Sequence, residues 1–481
     1  MKKNKPLSGA GRAGKSRTAF QGGAYSLIVT AVVLAILIVC NILVSALPAS
    51  LTKYDISATK PYSITSNTKV VVNALEQDVT IYWIVQSGEE DDVIETLLSK
   101  YDSLSDHITV VKKNPDVYPT FAEQYTSETV ENNSLVVECG ERNRYIAYDD
   151  IYVQEADVYS YSYSTSFDGE GAITSAIDYV VTEDLPQLYV LEGHDEQELP
   201  SNFQEQIEKA NIETNTISLL TVDAIPEEAD AVLLYEPSSD LSEEEVEMLY
   251  DYAENGGKLL VIAGPTQDSN LENLYSLLAN YGVETSEGIV VEGSREHYTV
   301  QPYVLLPEMT SHAITDALIE ENYYPNMPIS KGMIVNDTTG AVTSLLTTSE
   351  ESFSKVAGYE LTTYEKEEGD IDGPFTVGLS VVCSNEGQIV WFSSAAFLDD
   401  MYNALSSGSN SDLAMNALSS LIGEREAMAI RSKSLNYNYL SITDSTASLL
   451  KTLMIGVFPL VYLGIGVVII LKKRRDQNEA S

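Results

Sequence analysis

The chain has 481 residues, with 28 Lys and Arg against 72 Asp and Glu, which gives a formal net charge of −44 at pH 7. This length allows two or three hydrophobic cores. The charge argues against nucleic acid as a partner, because so acidic a surface repels phosphate backbones.

The N-terminal tail, residues 1–23, contains the phosphate-loop pattern G-x-x-x-x-G-K-[ST] at Gly9, Gly14, Lys15 and Ser16. A functional phosphate loop follows a strand and opens a helix, because the loop and helix amides together hold the phosphates. Here only eight residues precede the pattern, and the chain then runs directly into an apolar segment. We interpret the match as chance and expect any nucleotide hydrolysis to come from a partner.

Two apolar segments, residues 24–47 and 452–471, are predicted transmembrane helices. The first carries no charge and would be about 36 Å long as a helix, enough to cross a hydrocarbon core of about 30 Å. The second is uncharged and contains Pro459, which a spanning helix tolerates. A cleaved signal peptide is the alternative for the first segment, although its apolar run exceeds the roughly 7–15 residues of a signal core.

Basic residues flank both apolar segments, with six Lys and Arg before the first and four after the second. Both termini are therefore expected in the cytoplasm. When the ten basic and two acidic residues of the tails are set aside, 18 basic and 70 acidic residues remain for residues 51–471, a net charge of −52. The predicted localisation is the cell membrane, with two spans and a large acidic extracytoplasmic region.

The first exterior domain is predicted over residues 48–150 as an α/β unit. The runs VTIYWIVQ and HITVVKKN read as strands around the helical run EEDDVIETLLSKYDSL, and SLVVECGERNRYIAYDD reads as a hairpin. This order indicates a parallel βαβ unit and a thioredoxin-like layout. The chain has no C-x-x-C motif, so redox chemistry is unsupported. Cys139 and Cys383 are expected to be buried, inert thiols.

A Tyr and Ser-rich linker or edge strand with a following helix is predicted over 151–183, and the main α/β domain over 184–425. Apolar strands alternate there with amphipathic helices, which favours a mostly parallel sheet buried on both faces. Ser242 and Glu245 form a predicted capping box. Residues 284–373 read as an irregular insertion, and residues 426–451 as a connection to the second span, which the 472–481 tail follows.

The run LEGHDEQ places Gly193, His194, Asp195 and Glu196 directly after an apolar strand. Ligands in parallel sheets bind at the carboxyl ends of strands, so these four residues are the ligand-binding candidates. The alternative interpretation is a turn in which glycine supplies the bend and the acidic residues favour the next helix start.

No catalytic residue, cofactor or metal site is predicted. The motifs G-x-S-x-G and G-x-C-x-G do not occur, so a nucleophile elbow is unsupported. The spacing of the four histidines does not match a zinc motif. The acidic run GDIDGP, residues 369–374, lacks the ligand count of an EF-type calcium loop and reads as a solvated turn.

Several segments in this order resemble the auxiliary subunits of gliding-motility-type ABC transport systems, the Gldg family. They are SFDGEGAITSAIDYVVTEDLPQLYVLEGHDE, LSEEEVEMLYDYAENGGKLLVIAGP, SDLAMNALSSLIGE and the second apolar segment with its KKRR sequence. The resemblance implies an extracytoplasmic component with an amidotransferase-like fold that lacks the nucleophile. It also implies partnership with a separate ATPase and permease.

The chain departs from the family pattern at two strand ends. The family more often has G-H-G-E where this chain has Gly193, His194, Asp195 and Glu196, and G-D-S-D-F where it has SSAAFLDD. Both departures favour binding or scaffolding over chemistry. The predicted function is therefore a membrane-anchored, non-catalytic auxiliary subunit that meets an extracellular ligand or wall component. The alternatives are a surface hydrolase or amidotransferase using His194, and a surface adhesion or scaffold protein.

Overall fold

The protein is described here by a computed structural model. It describes residues 63–127, 129–157, 162–267, 269–394, 396–423 and 433–434, and the short stretches 31–36, 38–39, 458–459, 464 and 466–468. The phosphate-loop pattern and most of both predicted spans lie outside these residues. Among the residues it does describe, no helix has the length and apolar character needed to cross a bilayer. Both spans therefore stay predictions.

The first domain contains a four-stranded sheet in the order β2-β1-β3-β4. Its strands are β1 (Val79–Ile84), β2 (Ile108–Lys113), β3 (Ser134–Cys139) and β4 (Arg142–Ile146). β1 and β2 are parallel, whereas β3 runs antiparallel to both β1 and β4. The βαβ unit and the hairpin that the sequence predicts are both present.

The helices of this region are α1 (Ser66–Asn73), α2 (Asp92–Leu104), the short α3 (Tyr148–Ile151) and α4 (Gly169–Val181). Helix α4 falls in the segment predicted as linker and helix. Its side chains Ile173 and Ile177 are buried in the same cluster as Val72 of α1 and Leu97 of α2. The packing therefore places α4 in the core of the first domain.

Between α3 and α4 the chain forms an antiparallel hairpin of β5 (Tyr152–Asp157) and β6 (Ser162–Phe167). This is the Tyr and Ser-rich segment, for which an edge strand was one of the two interpretations. β-Branched, aromatic and hydroxyl side chains in alternation suit a half-buried strand.

The strands of the main domain are β7 (Gln187–Leu191), β8 (Glu213–Ile217), β9 (Ala231–Tyr235), β10 (Lys258–Ile262), β11 (Val283–Thr285), β12 (Ile289–Val291), β13 (Val304–Leu305), β14 (Glu308–Met309), β15 (Met327–Pro328), β16 (Met333–Val335), β17 (Val342–Thr347), β18 (Phe353–Lys355), β19 (Ile371–Asp372), β20 (Thr376–Val382) and β21 (Gln388–Phe392). Its helices are α5 (Ser201–Lys209), α6 (Glu243–Glu254), α7 (Glu272–Ala279), α8 (Asp316–Glu321), α9 (Asp400–Leu405) and α10 (Ser409–Ile422).

The main sheet is mixed rather than mostly parallel. Its order is β11-β16-β20-β21-β10-β9-β7-β8, and in addition β17 pairs with β20 and β14 pairs with β17. The neighbouring strands β8, β7, β9 and β10 are parallel, as predicted, and β21 is parallel to β10. An antiparallel half is added by β20, β16, β11 and β17. Much of that half comes from the predicted irregular insertion, whose strands are too short to give a clear sequence pattern.

Helices cover both faces of the main sheet, and the central strand β9 shows how its residues divide between them. Leu233 packs in the cluster that contains Phe203 of α5 and Leu413 of α10. Leu234, the next residue, packs in the cluster that contains Leu249 of α6. Both faces of the strand are buried, which explains its uninterrupted apolar sequence. A short strand, β22 (Lys433–Ser434), pairs with β6.

Candidate functional site

The candidate site is the edge of the main sheet at which the parallel strands end. From β7 the chain continues to β8 on one side and then to β9 on the other side of β7. The direction of winding therefore reverses between β7 and β9. Ligands of open α/β sheets bind outside the carboxyl ends of the strands at such a point. Three loops meet here, those after β7, β9 and β10.

The loop after β7 contains the four predicted site residues, and His194 is held there by two carboxylates. Its Nδ1 lies 3.1 Å from Oε1 of Glu196, and its Nε2 lies 3.1 Å from Oε1 of Glu245. Only 4% of His194 is exposed. Glu245 also completes the predicted capping box of α6, because its Oε2 accepts the Ser242 amide at 2.9 Å. The histidine thus links the β7 loop to the start of α6.

Main-chain contacts close the same loop. The carbonyl oxygen of His194 accepts the amides of Ser238 at 3.0 Å and Ser239 at 2.9 Å, both in the loop after β9. The Glu196 carboxylate accepts the amides of Gly193 and His194 through one oxygen. These bonds tie the loop after β7 to the loop after β9.

Two residues of this loop have positive φ, Gly193 at 127° and Asp195 at 56°. Asp195 occupies the position at which the resembled family more often has glycine. Aspartate tolerates the left-handed region better than most residues, and its Oδ2 accepts the Ser239 hydroxyl at 2.8 Å. The departure from the family pattern therefore preserves the turn.

The electrostatics of the cluster favour a charged histidine. The hydrogen bond to Glu196 raises the pKa of His194, burial lowers it, and the hydrogen bond to Glu245 raises it again, with a net upward shift. Burial opposes ionisation of Glu196 and Glu245, but hydrogen bonds from His194 and from backbone amides outweigh it and lower the pKa of both carboxyls. His194, Glu196 and Glu245 form a buried cluster in which the histidine's positive charge offsets the carboxylates. Each ring nitrogen of His194 is hydrogen-bonded to one of the two glutamates.

The structure brings together a second group of residues that the sequence analysis did not identify. A cavity of about 260 Å³ lies at the ends of β9 and β10. It is lined by Glu236, Pro237, Ser238, Gly264, Pro265, Thr266, Gln267 and Tyr359. Tyr359 arrives from a 3₁₀ turn of the insertion, Gly358–Glu360, and its hydroxyl donates to the Pro265 carbonyl at 2.9 Å.

Glu236 is the first residue after β9, and it has a φ of 47°. Its amide donates to the Ile262 carbonyl of β10 at 2.8 Å, and its own carbonyl accepts the Gln197 amide at 3.4 Å. A non-glycine residue in this region costs of order 1–3 kcal/mol and persists only where its surroundings fix it. Here the neighbouring strand and the β7 loop fix it from both sides.

Glu236 is a half-buried carboxylate without a cationic partner. No ion pair formed among the described residues includes it. Burial and the negative charge of Asp399 raise its pKa to about 7, against a smaller downward effect of Tyr235. Burial and Asp400 raise the pKa of Asp399 as well. The negative charge of Glu236 at the end of β9 is therefore not balanced by a positive charge. The carboxylates of Glu196 and Glu245, in contrast, are balanced by His194.

A second cavity, of about 250 Å³, lies at the ends of the parallel strands β1 and β2 of the first domain. Lys113 lines it, and the Lys113 ammonium lies 5.2, 5.2 and 4.8 Å from the ring centroids of Tyr82, Tyr118 and Phe121. Aromatic rings arranged in this way bind a cation through their π faces. In the first domain, the cation held by these rings is the chain's own Lys113.

Metal-ligand clusters and free cysteines are the remaining features of the described residues that bear on chemistry. No group of three or more His, Cys, Asp and Glu residues among them could hold a metal ion. Cys139 and Cys383 are buried and free, and burial is the main cause that raises the pKa of each thiol. Both cysteines are therefore buried, as predicted.

One family comparison bears directly on this region. Residues 185–381 match the model of the family described as "ABC-type uncharacterized transport system". The match begins just before β7 and ends in β20, so it includes both the His194 cluster and the Glu236 cavity. It supports the predicted relation to ABC transport auxiliary proteins for 185–381. No curated protein sequence matches the chain.

Solved structures with a similar arrangement include the mmIFT52 N-terminal domain, at 16% identity and a TM-score of 0.38, covering 49% of this chain and 98% of that one. PurLQS from Thermotoga maritima matches at 12% identity and a TM-score of 0.27, covering 49% and 98%. A glutamine amidotransferase from the same organism matches at 9% identity and a TM-score of 0.28, covering 49% and 100%. Likenesses this low carry no inference about activity.

Proposed function

We propose that this protein is a membrane-anchored, non-catalytic auxiliary subunit of an ABC-type transport system. It works with a separate ATPase and permease, and its extracytoplasmic α/β domains bind a ligand or a partner protein. The observation that carries the proposal is the family match over residues 185–381. We assign the protein no role in gliding motility.

The membrane anchor is supported by the apolar sequence of residues 24–47 and by the side chains described within it. Val32, Val33 and Leu34 lie on a helix and are each half or more exposed. Apolar residues exposed in a run without charges suit a lipid environment rather than water. The basic residues outside both apolar segments support cytoplasmic termini.

A non-catalytic role is supported by the state of the predicted site. A general base needs a ring nitrogen within reach of a substrate proton. Both nitrogens of His194 lie within 3.1 Å of carboxylate oxygens, and the side chain is buried. The alternative of a hydrolase or amidotransferase that uses His194 therefore receives no support from the geometry.

Purification of the tagged full chain from membranes in a mild detergent tests the association. We expect an ATPase and a multi-span permease to be recovered at comparable amounts. Recovery of the chain alone, or with wall material and without these two subunits, would contradict the proposal and favour the adhesion alternative.

Cysteine labelling tests the orientation separately. Glu244 is exposed at the start of α6, so a Glu244→Cys variant should react with a membrane-impermeant maleimide on intact cells. Cys139 and Cys383 are buried, which keeps the background low. The matched variant Lys15→Cys, in the N-terminal tail, should react only after permeabilisation. The reverse pattern would overturn the predicted topology.

A further inference from the structure

We propose that the cavity beside Glu236 binds a small organic cation, with the Glu236 carboxylate as counter-ion and the Tyr359 ring as one wall. This inference rests on the proposed function, because it names the site and the ligand class through which the exterior domain acts. It places the ligand in the loops after β9 and β10, not at the four residues that the sequence predicts.

The position of the cavity supports a ligand site. It lies at the carboxyl edge of the parallel strands, next to the point where the winding direction reverses. Its volume of about 260 Å³ is just below the range of about 300–1,000 Å³ found for small-molecule pockets, which limits the ligand to a very small molecule. A small molecule fits such a space, whereas a folded protein surface does not.

The backbone supports the same assignment. Glu236 follows a strand in which every residue is buried, and its φ of 47° turns the chain at the strand end. Strained residues that their surroundings hold in place cluster at functional sites. The Glu236 amide donates to the Ile262 carbonyl and the Glu236 carbonyl accepts the Gln197 amide, so the backbone that carries the proposed counter-ion is held in place.

The charges of the surrounding groups favour a cation over a neutral or anionic ligand. The groups that act electrostatically on Glu236 are Asp399, Tyr235 and Tyr359, none of which supplies a positive charge. A bound cation offsets the cost of ionising Glu236 beside Asp399, whereas an anion adds to it. The cavity of the first domain shows the contrast, because Lys113 already provides the cation there.

The wall of the cavity favours an organic ammonium over a bare metal ion. The Tyr359 hydroxyl is bonded to the Pro265 carbonyl, which fixes the ring as a wall. An ammonium group can contact that ring and can donate to the oxygens of Ser238 and Gln267, which also line the cavity. Among the described residues the acidic groups do not form a cluster suited to a metal.

Titration with n-butylammonium, followed by saturation-transfer NMR on the detergent-solubilised full chain, tests the proposal. We expect saturable binding of n-butylammonium, and none of its neutral isostere 1-butanol or of the anion butyrate. Glu236→Gln should weaken the binding at least tenfold, while Glu244→Gln, an exposed control on α6, should leave it unchanged. Equal binding by wild type and Glu236→Gln, or equal binding of all three probes, would overturn the proposal.

The pH dependence provides a second readout. Burial and Asp399 raise the pKa of Glu236 to about 7. Ionisation is therefore about 90% complete at pH 8 and about 10% complete at pH 6, so wild-type affinity should fall about tenfold between these values. In Glu236→Gln this dependence should disappear. Affinity that rises toward pH 6 would contradict the assignment of Glu236 as the counter-ion.

The same variant separates this inference from the proposed function. Glu236→Gln should still co-purify with the ATPase and the permease, because the cavity is not proposed as a subunit contact. Co-purification of wild type without n-butylammonium binding would overturn the cation site alone. Binding of n-butylammonium without co-purification would support the cation site and overturn the auxiliary-subunit proposal.

Discussion

The loops after β7 and β9 follow neighbouring parallel strands, and each begins with a glutamate, yet they are built differently. In the first, His194 lies between Glu196 and Glu245, and its carbonyl binds the amides of the second loop. In the second, Glu236 faces a cavity without a cationic partner. We call His194 with Glu196 and Glu245 the clamp, and the loop with Glu236 the open loop. The two differ in whether the carboxylates have a positively charged partner in the fold.

The largest effect should follow from removing the charged centre of the clamp. His194→Ala leaves Glu196 and Glu245 buried without their partner, and breaking a buried ion pair in this way costs about 3–5 kcal/mol. We expect a loss of about 3 kcal/mol in the free energy of unfolding of the full chain, measured by denaturant titration. His107→Ala is the control, because the His107–Asp78 pair is largely exposed and should matter much less. Similar losses for both variants would remove the distinction between clamp and surface pair.

The clamp should also depend on pH in a defined direction. The carboxylates raise the pKa of His194 above its ordinary value, so its stabilisation is complete below about pH 6.5 and is lost as the pH rises through the folded-state pKa. The difference in unfolding free energy between wild type and His194→Ala should therefore be larger at pH 6 than at pH 9. A difference that grows toward pH 9 would show that the histidine is neutral in the fold.

A substitution at Glu236, in the loop after β9, should raise the stability of the fold, whereas His194→Ala lowers it. The raised pKa of Glu236 means that its ionisation destabilises the folded state, and the penalty grows between about pH 4.5 and pH 7. Glu236→Gln should therefore increase stability by of order 1 kcal/mol at pH 8, or about 2–4 °C in Tm, and by less at pH 5. Glu244→Gln should show no such difference. A stability loss in Glu236→Gln at pH 8 would indicate that a group in the fold already compensates this carboxylate.

The smallest effect is expected at Asp195. Asp195→Gly relieves the positive φ but loses the bond from Ser239, so the two contributions should cancel to within about 1 kcal/mol. Asp195→Ala loses the bond and keeps the strain, and should lower Tm by a few degrees. Thermal unfolding of both variants measures the difference. A lower Tm for the glycine variant than for the alanine variant would contradict this account of the turn.

The sequence predicted the regular parts of the fold because their signals are local. The strand ADAVLLYEP, its neighbours, and the Ser242–Glu245 capping box are all present. The antiparallel strands β11 and β16 give no clear sequence pattern, because they have only three residues each and pair over long separations. Such strands are specified by tertiary packing rather than by their own pattern.

The site could be predicted only in part. The sequence places His194 shortly after a strand, where the structure also has it, and its ligand role stays a prediction. The sequence could not show that Glu245, 51 residues later, lies at the second ring nitrogen. Glu236 gave a weaker signal, a single acidic residue between an apolar strand and Pro237. Its partners in the cavity come from β10 and from the insertion at Tyr359, which no local pattern connects to it.

Amide hydrogen exchange of the full chain, with and without n-butylammonium, tests most directly whether the open loop rather than the clamp holds the ligand. We predict that residues 193–196 exchange slowly in both states, because the Gly193 and His194 amides are bonded to Glu196. The amides of Gly264, Thr266 and Gln267 should exchange faster and become protected when n-butylammonium is added. Protection at 193–196 with no change at 264–267 would contradict the account.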